Sequence, residues 1–163
     1  MSIKSKAIHI YAKKVAKKLG VDRKNAVAHQ KKCLQKLIDY AANTQFGKDH
    51  NFTNIKSAED FNQAVPIRDY EALRPYIDKV TEGHSHVLWP GKPKYFAKTS
   101  GTTSGVKYIP ISQTSIKNHI NTARNAVLNY IAQTKNEVLS GKTIFLSGSP
   151  VLQNKEGLSL IHI

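Results

Sequence analysis

Residues 99–107, Thr-Ser-Gly-Thr-Thr-Ser-Gly-Val-Lys, constrain this chain more than any other stretch. Gly101 and Gly105 open backbone angles closed to other residues, and the small hydroxyl side chains between them offer no apolar face to bury. The segment therefore reads as a loop, and the runs on either side of it, 95–99 and 107–111, read as strands. Pro110 removes a ladder donor, so the second strand belongs at an edge or is distorted.

Upstream of this hairpin the apolar residues recur at three and four. Ala7, Ile10, Tyr11, Val15 and Leu19 predict a helix over 3–19, stopped by Gly20. Asp22 is a candidate cap for a second helix running to Asn43, with Val27, Leu34, Leu37, Ile38 and Ala41 as its buried stripe. Cys33 borders that stripe. No His or acid is placed to activate it, so it reads as a packed small residue. Residues 44–54 read as a polar connection containing Gly47. Ser57 opens a short helix with Asp60 in the capping-box position, and Pro66 closes it. A further helical stretch covers 69–81, interrupted at Pro75 and ended by Gly83, and Trp89-Pro90-Gly91-Lys92-Pro93 is turn chemistry. Beyond the loop, Ser112 can cap a long helix with the stripe Ile116, Ile120, Ala123, Val127 and Ile131. Gly141 then precedes a strand at 143–146. Helices, a hairpin, a helix and another strand make an α/β architecture.

Charge narrows the partners. The formal charge is +14, and residues 1–50 hold twelve Lys+Arg against three Asp+Glu, whereas residues 51–100 balance at seven against six. A basic helical segment can attract nucleic acid or an anionic membrane. No aromatic or Gly-rich nucleic-acid signature accompanies it, so a solvated helix face is the preferred reading and neither partner is expected. No apolar run reaches bilayer length, and the basic start is broken by His9, Lys13 and Lys14 before any signal-type apolar run develops. The single cysteine excludes an intrachain disulfide and points to a reducing compartment, the cytoplasm.

The loop has the parts of an anion cradle. Consecutive main-chain N–H groups in a glycine turn form a concave nest for phosphate oxygens, and Ser100, Thr102, Thr103 and Ser104 add donors. Lys107 supplies a full positive charge at the exit. The spacing is not that of a P-loop: three residues, not four, separate the glycines, and Val106 stands between Gly105 and Lys107. On these residues alone two readings stay open, a phosphate-binding bend and an ordinary hydroxyl-rich surface hairpin.

The string from Phe96 to Lys107 resembles the first signature of adenylate-forming ligases. Ser104 before the second glycine and the continuation Tyr108-Ile109-Pro110 narrow the likeness to the Gretchen Hagen (auxin-responsive promoter) family of acyl acid amido synthetases. Thr44-Gln45-Phe46-Gly47, Val65-Pro66-Ile67, Asp69-Tyr70-Glu71 and Leu73-Arg74-Pro75 follow the family's order. The resemblance covers residues 30–146. It implies a helical N-terminal segment (1–48) leading into the incomplete N-terminal part of an adenylate-forming, luciferase-like domain (49–157). It also implies a ligase that uses ATP and Mg²⁺ to adenylate a small carboxylic acid and then passes the acyl group to an amino acid amine. Thr99, Ser100, Gly101, Thr102, Thr103, Ser104, Gly105 and Lys107 are the implied phosphate-binding residues, with Lys107 catalytic, and Asn121 and Arg124 are candidate acyl-pocket contacts, although a solvated helix face is the preferred reading of both. An acyl-CoA ligase of the same superfamily and a basic nucleic-acid or membrane module are the alternatives. The family's later nucleotide motifs are not found, so this chain alone is expected to be inactive. Residues 158–163 resemble a translated transposase sequencing adapter and are expected to be non-native.

Other constellations carry less. His84 and His86 have metal-ligand spacing, but only Glu82 stands near as a third donor, so an exposed loop is preferred and no metal site is expected. Trp89 beside Pro90 reads as a packing anchor. No Gly-x-Ser-x-Gly elbow supports a hydrolase.

Overall fold

A computed structural model describes residues 3–99, 105–136, 138, 141–142, 153–155 and 158–162. The chain divides into two units, Met1–His29 with Thr114–Leu146, and Gln30–Gln113 with Ser147–Ile163.

In the first unit, helix α1 (Ile3–Lys24) runs through Gly20 instead of stopping there. A glycine costs a helix about 1 kcal/mol relative to alanine, too little to end one whose neighbours continue it. The stop comes at Asn25, whose backbone N–H reaches the carbonyls of Val21 and Asp22 at 3.3 and 3.2 Å. Asp22 thus lies inside α1 and does not cap the next helix, α2 (Ala26–Ala41), which straddles the division between the units. The long helix α6 (Gln113–Thr134) packs Leu128, Ile131 and Ala132 against Ile8, Ala12 and Val15 of α1. The buried stripe of α1 is therefore displaced from the expected one, since Ile10 and Tyr11 are exposed. Of the stripe expected on α6 only Ile131 is buried, and Ile120 and Val127 face outward. The contact is made near the end of α6, through Leu128, Ile131 and Ala132.

The second unit is built on aromatic packing. Ile38 and Ala41 of α2 join Phe52 and Ile55 in a core flanked by Leu34, Phe46, Phe61 and Trp89, whereas Cys33, expected to be packed, is exposed. The segment 44–54 is not a plain connection. Helix α3 (Gln45–Asp49) and a 3-10 turn, Phe52–Asn54, fold within it. Thr44 is the buried N-cap of α3: its hydroxyl accepts the Gly47 N–H at 3.0 Å and donates to the Ala41 carbonyl at 2.7 Å. The two remaining N–H groups of that first turn, on Gln45 and Phe46, donate to the His86 and Val87 carbonyls at 2.8 and 2.9 Å. Gly47 is required by space: a Cβ there would run into the Ala41 carbonyl oxygen and stand 2.9 Å from that of Ala42.

The next two helices follow their sequence signals. Ser57 and Asp60 form the full capping box of α4 (Ala58–Ala64), which ends just before Val65-Pro66. Asp69 caps α5 (Tyr70–Thr81) by accepting the Ala72 N–H at 2.9 Å. Pro75 does not interrupt α5; it removes one donor while the turns on either side carry the helix past it. Gly83, at φ +89°, ends it. Its N–H bonds Val80 and the N–H of His84 bonds Lys79, the paired closure of a glycine C-cap.

The sheet has the order β2-β1-β4-β3. β1 (Tyr95–Lys98) pairs antiparallel with β2 (Tyr108–Ile111) and parallel with β4 (Leu158–His162), and β3 (Gln153–Lys155) pairs antiparallel with β4. Residues 158–162, expected as a foreign tail, are thus held in the sheet. Phe96 and Ala97 of β1 are both buried; successive strand side chains point to opposite faces, so both faces of β1 are covered. Pro110 sits on the edge strand, as its missing N–H requires. The strand expected at 143–146 lies outside the described residues.

Candidate phosphate-binding hairpin

The register of β1 and β2 carries the hairpin to its mouth. Lys98 stands opposite Tyr108, and the Thr99 N–H donates to the Lys107 carbonyl at 3.1 Å, closing the loop. Of the loop residues assigned to phosphate, Thr99 is half-buried, Gly105 is exposed at φ +77°, and Lys107 is half-buried. Ser100, Gly101, Thr102, Thr103 and Ser104 lie outside the described residues. At Gly105 a Cβ would meet open space, so the left-handed backbone, not crowding, selects glycine there.

Lys107 has no ion pair among the described residues. Its ammonium stands over the ring of Tyr70, 5.5 Å from the centroid. Tyr70 is the first residue of α5, placed by the Asp69 cap, and it does more than offer its ring. Its hydroxyl accepts the Tyr108 N–H at 2.9 Å and reaches the Tyr108 carbonyl at 3.4 Å. Because Thr99 and Lys107 face each other across the ladder, the backbone groups of Tyr108 point away from β1, where Tyr70 meets them. The guanidinium of Arg74, one turn along α5, lies 6.0 Å from the same ring. Sequence reasoning missed Tyr70 as part of the site, because 38 residues separate it from Tyr108 and no local period links them.

Asn121 and Arg124 are exposed on α6, and Arg124 donates to the Asn125 side chain at 3.3 Å. They belong to the first unit and the hairpin to the second. His84 pairs with Glu82 at 3.7 Å on the surface, and His86 accepts the Gly91 N–H in the turn at 3.4 Å. Among the described residues no three His, Cys, Asp or Glu side chains gather as a metal-binding group.

Among the described residues, two groups outside the hairpin titrate away from their ordinary values. Burial and the Asp49 carboxylate, 2.8 Å from the Tyr76 hydroxyl, push the Tyr76 phenol up, with Arg68 pulling the other way. The Lys56 backbone N–H and the Ser57 hydroxyl hold Asp60 below the usual carboxylate range. Arg68 lies with its guanidinium 5.8 Å from the Phe46 ring, and its Nη1 is buried without a hydrogen-bond partner. None of these groups lies in the hairpin.

The GH3 family N-terminal domain matches residues 15–162, a span wider than the signature strings and one that takes in β4. The chain is similar to jasmonoyl–L-amino acid synthetase JAR4 of Nicotiana attenuata, 24% identical over 148 residues, or 89% of this chain and 25% of that protein. It is also similar to indole-3-acetic acid-amido synthetase GH3.6 of Arabidopsis thaliana, 28% identical over 82 residues, 50% of this chain and 13% of that one. In fold it matches the GH3.15 acyl acid amido synthetase with a TM-score of 0.76 at 20% identity, over 92% of this chain and 27% of the other. The chain therefore spans about a quarter of the length of the jasmonoyl synthetase it matches. The helices leading into a mixed sheet are the architecture of that synthetase's N-terminal part, and the chain belongs to the GH3 family, matching its N-terminal domain.

Proposed function

We propose that the hairpin mouth at residues 99–107 holds the polyphosphate of ATP in an acyl acid amido synthetase. The observation that supports this most is Lys107, a half-buried cation with no carboxylate partner among the described residues, at the exit of a bend that needs glycine for its backbone angle and not for space. A cation of that kind is available to a ligand. The relatives' names add that they join jasmonoyl or indole-3-acetic acid to amino acids or form amides of them.

In the proposed reaction a carboxylate oxygen bonds to the α-phosphorus of ATP and the bond to the bridging oxygen breaks, releasing pyrophosphate. An amino acid nitrogen then bonds to the acyl carbon, loses a proton, and AMP departs with the bonding pair. This chain's contribution is to the first step. Main-chain N–H groups of residues 100–105 and the hydroxyls of residues 99–104 orient the polyphosphate, and Lys107 offsets charge that grows on the leaving pyrophosphate. Mg²⁺ would add to that neutralisation, but the described residues supply no carboxylate set to hold it, so no step is drawn through it. Asn121 and Arg124 are proposed acyl-acid contacts. The proposed compartment is the cytoplasm; no helix among the described residues is long and apolar enough to cross a membrane.

The test is Lys107→Ala in a full-length enzyme that carries this chain as its N-terminal part. Carboxylate-dependent exchange of pyrophosphate into ATP should fall at least about a hundredfold, the scale of a lost oxyanion-type contact, with the melting temperature little changed. Wild-type exchange in that variant would rule the reading out.

A further inference from the structure

We infer that Tyr70 is the positioning residue of the hairpin, fixing the backbone at its exit with one group and parking the Lys107 ammonium with another until an anion takes it. The inference rests on the polyphosphate reading above and deepens it. Two independent contacts converge on one side chain. The hydroxyl of Tyr70 engages both backbone groups of Tyr108, the residue directly after Lys107. The ring of Tyr70 faces the Lys107 ammonium at 5.5 Å. The Asp69 cap fixes where α5 begins and so where Tyr70 projects.

The chemistry of the two contacts differs, and the difference gives the device its use. A hydrogen bond to an edge-strand N–H at 2.9 Å sets a position and has no reason to change when an anion arrives. A cation over a ring face is held weakly and without a fixed direction, and an anionic oxygen competes for it. Tyr70 thus keeps the strand still while leaving the ammonium free to swing. The long, flexible stem of lysine suits that movement better than a guanidinium fork would.

The experiment is NMR on the intact chain with ¹³Cε-labelled lysine, titrated with inorganic tripolyphosphate. In the wild type the Lys107 ε-methylene signal should lie upfield through the ring current of Tyr70 and move towards the ordinary lysine position as tripolyphosphate binds. Tyr70→Leu should remove the upfield shift without any ligand. Tyr70→Phe keeps the ring and should keep the shift, while exchange of the Tyr108 amide rises about tenfold or more and tripolyphosphate affinity falls about threefold, the scale of one net hydrogen bond. The two variants separate the roles, and the phenylalanine variant keeps the test alive should the leucine variant fold poorly. An ordinary Lys107 shift in the wild type, or unchanged Tyr108 exchange in Tyr70→Phe, overturns the inference. So does a Lys107 signal that stays upfield while amides of the loop respond to tripolyphosphate. If neither the signal nor the amides respond, the polyphosphate reading fails, and the ligand-free comparison of variants still decides the Tyr70 contacts.

Discussion

Two bends in this chain begin with threonine and contain a glycine, and they are built to opposite ends. In Thr44–Gly47 every backbone donor of the first helical turn is committed, to the Thr44 hydroxyl or to the carbonyls of His86 and Val87. Gly47 is there because the Ala41 carbonyl leaves no room. In the bend at 99–107, Gly105 stands in open space and is selected by its angle, and the ammonium at the exit faces an aromatic ring and has no ion pair among the described residues. A bend that satisfies itself completes a fold. One that leaves its cation unpaired is suited to a ligand, and similar composition does not distinguish the two.

Substitutions can sharpen or break that contrast. Gly47→Ala should cost about 3 kcal/mol or more, since backbone rather than a flexible side chain stands in the way, and urea unfolding would measure it. Thr44→Val should come next, at about 2 kcal/mol, by leaving the Gly47 N–H buried without its partner and removing one of the two bonds to the Ala41 carbonyl. Gly105→Ala should cost only about 1 kcal/mol, the strain of a left-handed alanine. Equal losses for Gly47→Ala and Gly105→Ala would abolish the distinction between crowding and angle.

The smallest effect lies outside both bends and serves as a control for ordinary capping. Asp60 has its carboxyl depressed below 3.8 in the fold. Its contribution is therefore present above the unfolded value and lost as acid titrates the folded carboxylate, below about pH 4. Asp60→Asn should lower the melting temperature slightly at neutral pH, where the carboxylate contributes, and flatten its fall over that acid range. An undiminished acid slope in Asp60→Asn would assign the loss to other groups.

What the sequence disclosed divides along similar lines. Features written within four or five residues were legible: the Ser57–Asp60 box, the Pro66 stop, the Gly83 closure and the edge position of Pro110 all hold. The hairpin strands and the Gretchen Hagen likeness were legible for the same reason, since the signature is a contiguous string. Features decided by distant partners were not. Helix α3 is too short to show a period, and its stability comes from carbonyls some forty residues away. Which face of α1 is buried depends on where α6 meets it, so Ile8 and Ala12 replaced Ile10 and Tyr11. Gly20 and Pro75 read as breaks by residue type, yet each removes too little from a long helix to end it. Tyr70 was visible as part of a string but not as a neighbour of Lys107.

The outward side of β2 has one more consequence. Of the two backbone positions that face away from β1, Pro110 has no hydrogen to give and that of Tyr108 is taken by Tyr70. A stray strand drifting against this rim finds neither position offering it a backbone donor. A strand border stripped of its donors in this way is a poor template for pairing with another chain.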